Sequence, residues 1–347
     1  MKHEASRAEV MALWRLCFED TEAFTRFYFD AKYQEGNTLV YRDATGEMVA
    51  ALQMIPYRMT YAGGMIDASY ISGACTHPSH RGEGIMKRLL ADAFQKMRAR
   101  GVALSILIPQ EPWLFDYYYR QGYVAVFDYR MEEETGEGRR PTGLGVREVR
   151  PGEERMEDLY AYFDARMRER GCCVQHDRAD FTVIVEDLLS SEGALLGVFS
   201  DTGAVVGIAF AEPMEGGVRV KEYSCDSCEG RRALVLALAG RWKGWRQEWR
   251  ELPSEGPVVH HGMARVVDAG QLLRLYADSH PGERLAIQFT DEMLPENSGI
   301  FVLDEGVCHR VERQTGALPV EMDARTLTGW LSRCQPGSAP WMSLMLD

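Results

Sequence analysis

From residue 85 the apolar positions fall four apart, at Ile85, Leu89, Ala93 and Met97, with Lys87, Arg88, Asp92, Lys96 and Arg100 on the other faces. That spacing predicts a helix with one buried side, and Gly101 stands where it should end. Ahead of it Tyr70–Thr76 reads as a strand that Pro78 terminates, and Arg81-Gly82-Glu83-Gly84 makes a tight turn. Behind it Val102–Ile108 is a near-continuous apolar run, which suits a strand covered on both faces.

The same reading carries along the chain. Residues 5–34 space out one apolar face at Val10, Leu13, Trp14, Cys17 and Phe18 and another at Phe24, Phe27 and Tyr28, predicting one or two helices. Strands Thr38–Tyr41 and Met48–Met54 flank the turn Asp43-Ala44-Thr45-Gly46, and a second pair, Tyr57–Tyr61 and Met65–Thr76, flanks Ala62-Gly63-Gly64. Residues 131–145 are rich in Glu and Gly without periodicity and predict a linker.

After that linker the order of elements starts again. A helical pattern over Arg150–Arg170 precedes strands Ala194–Ser200, Ala204–Glu212 and Gly217–Tyr223, then a helix from about Arg231. Leu39–Leu52 and Leu196–Ala209 fall in step, with Thr45-Gly46 over Thr202-Gly203, so a second copy of the first fold is expected. Trp242, Trp245 and Trp249 lie at i, i+3 and i+7, the stripe of a packed helix rather than a base-stacking surface. Past the break at Glu251–Pro257, Met263–Ala277 reads as strand then helix with Asp268 as N-cap. Short strands Leu285–Phe289, Gly299–Leu303, Val307–Val311 and Val320–Met322 follow, and Asp323 caps the helix Ala324–Leu331. The expected class is α+β with mixed sheets.

Composition narrows the function classes. The 347 residues are enough for two or three cores, and 46% hydrophobic with 26% charged residues is ordinary globular material. A net charge of −13 argues against a nucleic-acid partner and favours amine-bearing small molecules or basic peptides. No apolar run approaches the roughly 20 residues of a membrane span, and the N-terminus lacks a signal-peptide core, so no membrane association and a cytoplasmic protein are expected. Eight cysteines, some adjacent, do not make a disulfide framework. Cys225-x-x-Cys228 stands without a second spaced pair, though Cys172, Cys173 or His176 are conceivable partners, and no metal is expected.

The candidate chemistry lies at the first turn. The leading amides of a helix have no partner within it, the helix dipole adds positive charge there, and glycines let the backbone approach an anion closely. Such a turn can cradle a phosphate or pyrophosphate. At the matching place in the second copy, Cys225-Asp226-Ser227-Cys228-Glu229-Gly230-Arg231-Arg232 has a single glycine, so that copy is not expected to hold the same ligand.

Arg81-x-x-Gly84 after a strand, opening a helix, followed by Val102–Ile108 and a Tyr-rich segment, resembles the GNAT superfamily of N-acetyltransferases. Met86 stands where that family usually has a small residue. The run Thr76-His77-Pro78-x-x-Arg81-x-x-Gly84-x-Met86 looks like the enhanced-intracellular-survival (Eis) branch. The resemblance implies tandem GNAT folds, the second degenerate, closed by a sterol-carrier-protein-like α+β domain. The expected bounds are 1–135, 136–256 and 257–347. It also implies a transferase that passes acetyl from acetyl-CoA, as co-substrate, directly to a primary amine on an aminoglycoside, a polyamine or a lysine.

In that reading the backbone of Ala74, Cys75 and Thr76 pairs with the pantetheine arm. Amides from Arg81, Gly82, Glu83, Gly84, Ile85 and Met86 hold the pyrophosphate, with the Arg81 side chain adding charge. Tyr118 looks like the family's helix tyrosine, and Tyr123 like the tyrosine that protonates the departing thiolate. By the same resemblance the terminal carboxylate of Asp347 is the candidate base; Glu111, at the end of the strand expected to border the cleft, is the runner-up. Eis relatives form rings, so a homo-oligomer is also implied. A non-catalytic acyl-CoA sensor and a lipid-binding protein using the C-terminal domain are the alternatives.

Overall fold

A computed structural model describes residues 6–139, 141–254, 256–313, 318–333 and 339–346. The described residues fall into two compact units that do not follow chain order. One is built from residues up to 126 together with 261–333, the other from 127–260 together with 339–346.

The first unit opens with α1 (Arg7–Cys17), where the Ser6 hydroxyl accepts the Glu9 amide, and α2 (Glu22–Ala31), capped in the same way by Thr21. Val10, Leu13 and Trp14 face inward from α1, and Thr25, Tyr28 and Phe29 from α2. Strands β1 (Thr38–Arg42), β2 (Met48–Tyr61) and β3 (Gly64–Thr76) then form an antiparallel meander. Where two strands were expected, β2 runs unbroken through Pro56. Strand β1 pairs with β2 only as far as Gln53, so the missing N–H of Pro56 interrupts no hydrogen bond to β1. Ala62 and Gly63 both have positive φ and close the β2–β3 hairpin. Helix α3 (Ile85–Ala99) follows, then β4 (Leu104–Leu107), parallel to β3, and α4 (Pro112–Tyr119).

The second unit runs through β5 (Val124–Glu134), β6 (Leu144–Glu148), α5 (Met156–Glu169), β7 (Cys172–Gln175) and α6 (Arg178–Ser190). It continues with β8 (Ala194–Ser200), β9 (Val205–Met214), β10 (Gly217–Cys225), α7 (Cys228–Arg241) and β11 (Arg246–Glu251). Its sheet order is β5-β11-β10-β9-β8-β6. Strands β8, β9 and β10 are antiparallel neighbours, α7 crosses over, and β11 lies parallel to β10, which repeats the order β1, β2, β3, α3, β4.

Two expectations give way here. The first four residues of the expected linker belong to β5, where Met131–Glu134 pair with Gln247–Arg250, and the Glu132 and Glu134 carboxylates are taken up by Arg231. The tryptophan stripe is no helix either. Gly244, with φ +76°, lies just after α7 has ended, and the chain re-enters as a strand on which Trp249 is buried while Trp245 stays exposed. A helical spacing of three residues was a coincidence across a loop.

The chain returns to the first unit along β12 (Val259–Val266), antiparallel to β4, giving that sheet the order β1-β2-β3-β4-β12. Then come α8 (Ala269–Ser279), β13 (Leu285–Thr290), β14 (Gly299–Asp304), β15 (Val307–Val311), β16 (Val320–Asp323) and α9 (Ala324–Arg333). These four strands form a separate sheet in the order β15-β14-β13-β16. Arg265 of β12 is buried with its guanidinium on Asp291, its Nε donating to the Gln121 carbonyl at 3.0 Å, and the Phe94 ring 4.1 Å away. One fully paired cation thus ties β12, the turn after α4, and the loop after β13.

Residues 341–346 are buried in the second unit, as their apolar character predicts. Trp341 exchanges backbone hydrogen bonds with Cys172 and Val174. The Trp341 indole N–H and the Ser343 hydroxyl both donate to Glu222, a buried carboxylate that also pairs with Arg170 at 3.0 Å. Removing one partner of such a cluster leaves a buried charge uncompensated. Glu222→Ala should therefore lower unfolding free energy by about 3–5 kcal/mol, read from urea denaturation, with Glu222→Gln milder because it keeps acceptors for both tail donors.

Candidate active site

Strand β3 is the element on which the site depends. Its parallel pairing with β4 covers only Ala68–Tyr70 against Leu104–Ile106, so from Ile71 onward the edge facing β4 has no β4 partner. On its other side, Ser72 opposes Gln53 and Cys75 opposes Ala51, leaving two residues of β3 against one of β2. That is a β-bulge at Gly73-Ala74, and Gly73 holds φ +58° within it. A Cβ on Gly73 would come within 2.3 Å of the Trp14 ring. The backbone of Ala74, Cys75 and Thr76 therefore lies on a stretch of β3 that β4 does not pair.

The turn follows at once. Arg81, Gly82, Glu83 and Gly84 are all exposed, and the glycines take φ of +86° and +71°. Gly84 is the N-cap of α3 and contributes no side-chain hydrogen bond. Arg88 donates to Gly84 at 3.2 Å, so the amides of Ile85, Met86 and Lys87 precede the first helical bond and point off the end. A Cβ built on Gly82 or Gly84 meets nothing within 4 Å, so their bareness faces open space and not a neighbouring side chain. Arg81 folds back, its Nε donating to the Thr76 carbonyl at 3.2 Å, and Glu83 lies 3.4 Å from the His80 ring. Ile85 is buried and Met86 packs half-buried on the core, so these two contribute backbone to the turn while their side chains anchor it.

The second copy differs at this point in a physical way. Ser227 caps α7 with its hydroxyl accepting the Gly230 amide at 3.1 Å, so part of the amide end is already satisfied. Cys225 ends β10 and Cys228 begins α7. Among the described residues no three His, Cys, Asp or Glu side chains gather as a metal would need.

Tyr118 and Tyr123 are brought together, their rings 5.7 Å apart. Tyr123 is fully buried, its hydroxyl 2.6 Å from Ser105 Oγ, and burial pushes its phenol well above the ordinary range. Tyr118, 7% exposed, sits at the edge of the same cluster, also pushed up by burial, and is close enough to Tyr123, Tyr117 and Cys75 to feel their charge. Glu111 is the exposed N-cap of α4. Asp347 lies outside the described residues.

Three participants were not singled out from sequence as site residues. They are Gly73, Trp14 beneath it, and Gln53, a buried residue beside the bulge whose amide nitrogen and oxygen have no partner among the described residues. An isolated glycine inside a strand pattern is the signal that points to a bulge.

Residues 3–126 match the acetyltransferase (GNAT) domain family. The chain carries a GNAT acetyltransferase domain at its N-terminal end. No curated protein matches the sequence. Among solved structures, a GCN5-related N-acetyltransferase from Anabaena variabilis is similar at 16% identity, with 98% of each chain covered and a TM-score of 0.76. A GCN5-related N-acetyltransferase from Kribbella flavida covers 93% of this chain and 86% of its own at 15% identity and TM-score 0.72. Eis1 from Mycobacterium abscessus has the same coverage at 15% identity and TM-score 0.68. At these identities the likeness is one of fold, and it extends well past the GNAT domain itself.

The Trp14–Gly73 contact yields a stability prediction. Gly73→Ala combines a positive φ with a methyl group inside an aromatic ring's contact distance and should cost about 3 kcal/mol by chemical denaturation. Gly46→Ala, with φ +89° but open space around it, should cost only the backbone penalty of about 1 kcal/mol.

Proposed function

We propose that this chain transfers an acetyl group from acetyl-CoA to a primary amine. The observation that carries the reading is the pairing of two open features in one place: a strand edge without a β4 partner after Tyr70, and a bare, glycine-capped helix end a few residues later. A pantetheine arm has the amide groups to extend such an edge as a strand would. A pyrophosphate suits amides aligned on a positive dipole end. Arg81, exposed and tethered to Thr76, adds a cation beside the anion.

The amine attacks the acetyl carbonyl carbon, the C–S bond breaks, and the thiolate of coenzyme A must be protonated. We assign that proton to Tyr118. Supporting the choice is its position at the edge of the aromatic cluster beside Cys75, whereas the Tyr123 hydroxyl is sealed against Ser105. A phenol held above its ordinary pKa remains protonated at neutral pH and available to a thiolate. The proton lost by the amine goes to a carboxylate, for which the terminal group of Asp347 and Glu111 are the candidates. The acceptor class stays as broad as aminoglycosides, polyamines and lysine side chains, all cationic and suited to an acidic protein.

The second copy is read as a fold that holds no cofactor, supported by the Ser227 cap that occupies its helix end. The closing four-stranded sheet with α8 and α9 is read as the sterol-carrier-like part, in a structural role.

Screening amines for thiol release from acetyl-CoA tests the reading. Tyr118→Phe should lower kcat by about 10²–10⁴-fold with little change in the acetyl-CoA KM. Tyr123→Phe should lose about 1 kcal/mol of stability with its Ser105 hydrogen bond and retain turnover. Full turnover in Tyr118→Phe would remove the assigned donor, and no thiol release with any amine would remove the activity.

A further inference from the structure

We propose that the Gln53 side-chain amide donates to the carbonyl oxygen of the acyl thioester, which makes Gln53 the side chain that reads the acyl group. The inference rests on the proposed function, because it takes acetyl-CoA as the occupant of the β3 edge. Gln53 is 2% exposed, and neither its amide nitrogen nor its amide oxygen has a hydrogen-bond partner among the described residues. A side-chain amide carries two donors and two acceptor lone pairs, and burying all of them unmet is costly. A native fold keeps such a group where something outside the chain completes it, a ligand or a water. Its neighbours on the same face are already engaged with each other or elsewhere. The Tyr28 hydroxyl donates to Ser72 Oγ at 2.7 Å, and the Trp14 indole N–H donates to Asp20 at 2.8 Å.

The amide is aimed at the bulge. Side chains alternate between the faces of a strand. Leu52 and Met54 pack in one cluster with Ile85, Leu89 and Phe94 of α3, so Gln53 between them points to the opposite face, where Trp14 of α1 lies. Across the β2–β3 ladder Gln53 opposes Ser72, one residue before the bulge. A Cβ built on Gly73 would lie 3.3 Å from Gln53 Nε2, so the side chain reaches over to the bulge itself.

The direction of the coenzyme places the thioester there. With the pyrophosphate at Gly82 and Gly84, the pantetheine arm runs back along Thr76, Cys75 and Ala74, and its acyl end arrives beside Gly73, level with the Gln53 amide. The carbonyl oxygen is the one polar atom that an acetyl group offers, and it accepts but cannot donate, which matches an amide N–H. Negative charge grows on that oxygen as the amine adds to the carbonyl carbon. A donor already fixed in place therefore favours the reaction as well as the binding.

The experiment titrates acetyl-CoA and S-ethyl-coenzyme A calorimetrically into the full-length protein and into Gln53→Met. The ethyl thioether has the length of the acetyl group with two hydrogens in place of the carbonyl oxygen. The unaltered protein should bind acetyl-CoA about five- to tenfold more tightly than the thioether, and Gln53→Met should bring the two affinities together by weakening acetyl-CoA alone. Without ligand, the variant should melt at or up to about 2 °C above the unaltered protein, because it no longer buries an unmet amide. Gln53→Leu repeats both measurements with a shorter side chain, so that a poor fit of methionine is not mistaken for a lost hydrogen bond. Retention of the preference for acetyl-CoA in the variants overturns the proposal. Melting several degrees lower in both variants also overturns it, since that marks Gln53 as a structural group completed by buried water. Equal affinity for the two ligands in the unaltered protein overturns this assignment alone, whereas failure to bind either one removes the acetyltransferase reading and this assignment with it.

Discussion

Trp14 occupies the space that a side chain at residue 73 would need, and the site rests on that contact. With glycine there, β3 can bulge, take a positive φ and leave its neighbour β4 after three paired residues. The unpaired edge that results would be a liability on most proteins, since exposed backbone donors and acceptors recruit other strands. Here it is short, it ends at Pro78, and it leads directly to the bare end of α3. The helix end and the strand edge are one device, because both offer backbone groups to a ligand.

The tandem arrangement sharpens the point. The second unit repeats the meander, crossover helix and parallel strand of the first, yet a single residue changes what its helix end can do. Gly84 in α3 supplies conformation without a side chain, whereas Ser227 in α7 supplies its own hydrogen-bond acceptor. The repeated scaffold is common to both; the vacancy belongs to the first. In exchange, the second unit binds the chain's own C-terminal segment, through Glu222 and the backbone of Cys172 and Val174.

Much of this was legible in sequence where local physics dominates. The four-residue spacing from Ile85, the Gly82 and Gly84 turn, and the step-for-step repeat of the hairpins all depend on neighbours in the chain. The errors fall where distant partners decide. Residues 48–61 read as two strands, and pairing with β3 along their length joins them through Pro56. The acidic run at 131–134 reads as a linker until Arg231 and β11 take it up as strand. Trp242, Trp245 and Trp249 mimic a helix because Gly244 hides a change of element between them. Tyr118 lies on α4 and Tyr123 just beyond its end, and the contact of the Tyr123 hydroxyl with Ser105 is set by a strand distant in sequence.

The most direct measurement is calorimetric titration of acetyl-CoA into the protein and into a Gly82→Ala, Gly84→Ala double variant. Because both added methyls project into open space, they intrude on a ligand at the turn and not on the fold beyond about 1–2 kcal/mol of backbone strain each. The account predicts binding in the micromolar range, about −8 kcal/mol, lost or weakened at least about tenfold in a variant that remains folded. Absence of binding in the unaltered protein, or equal affinity in the two, would contradict it.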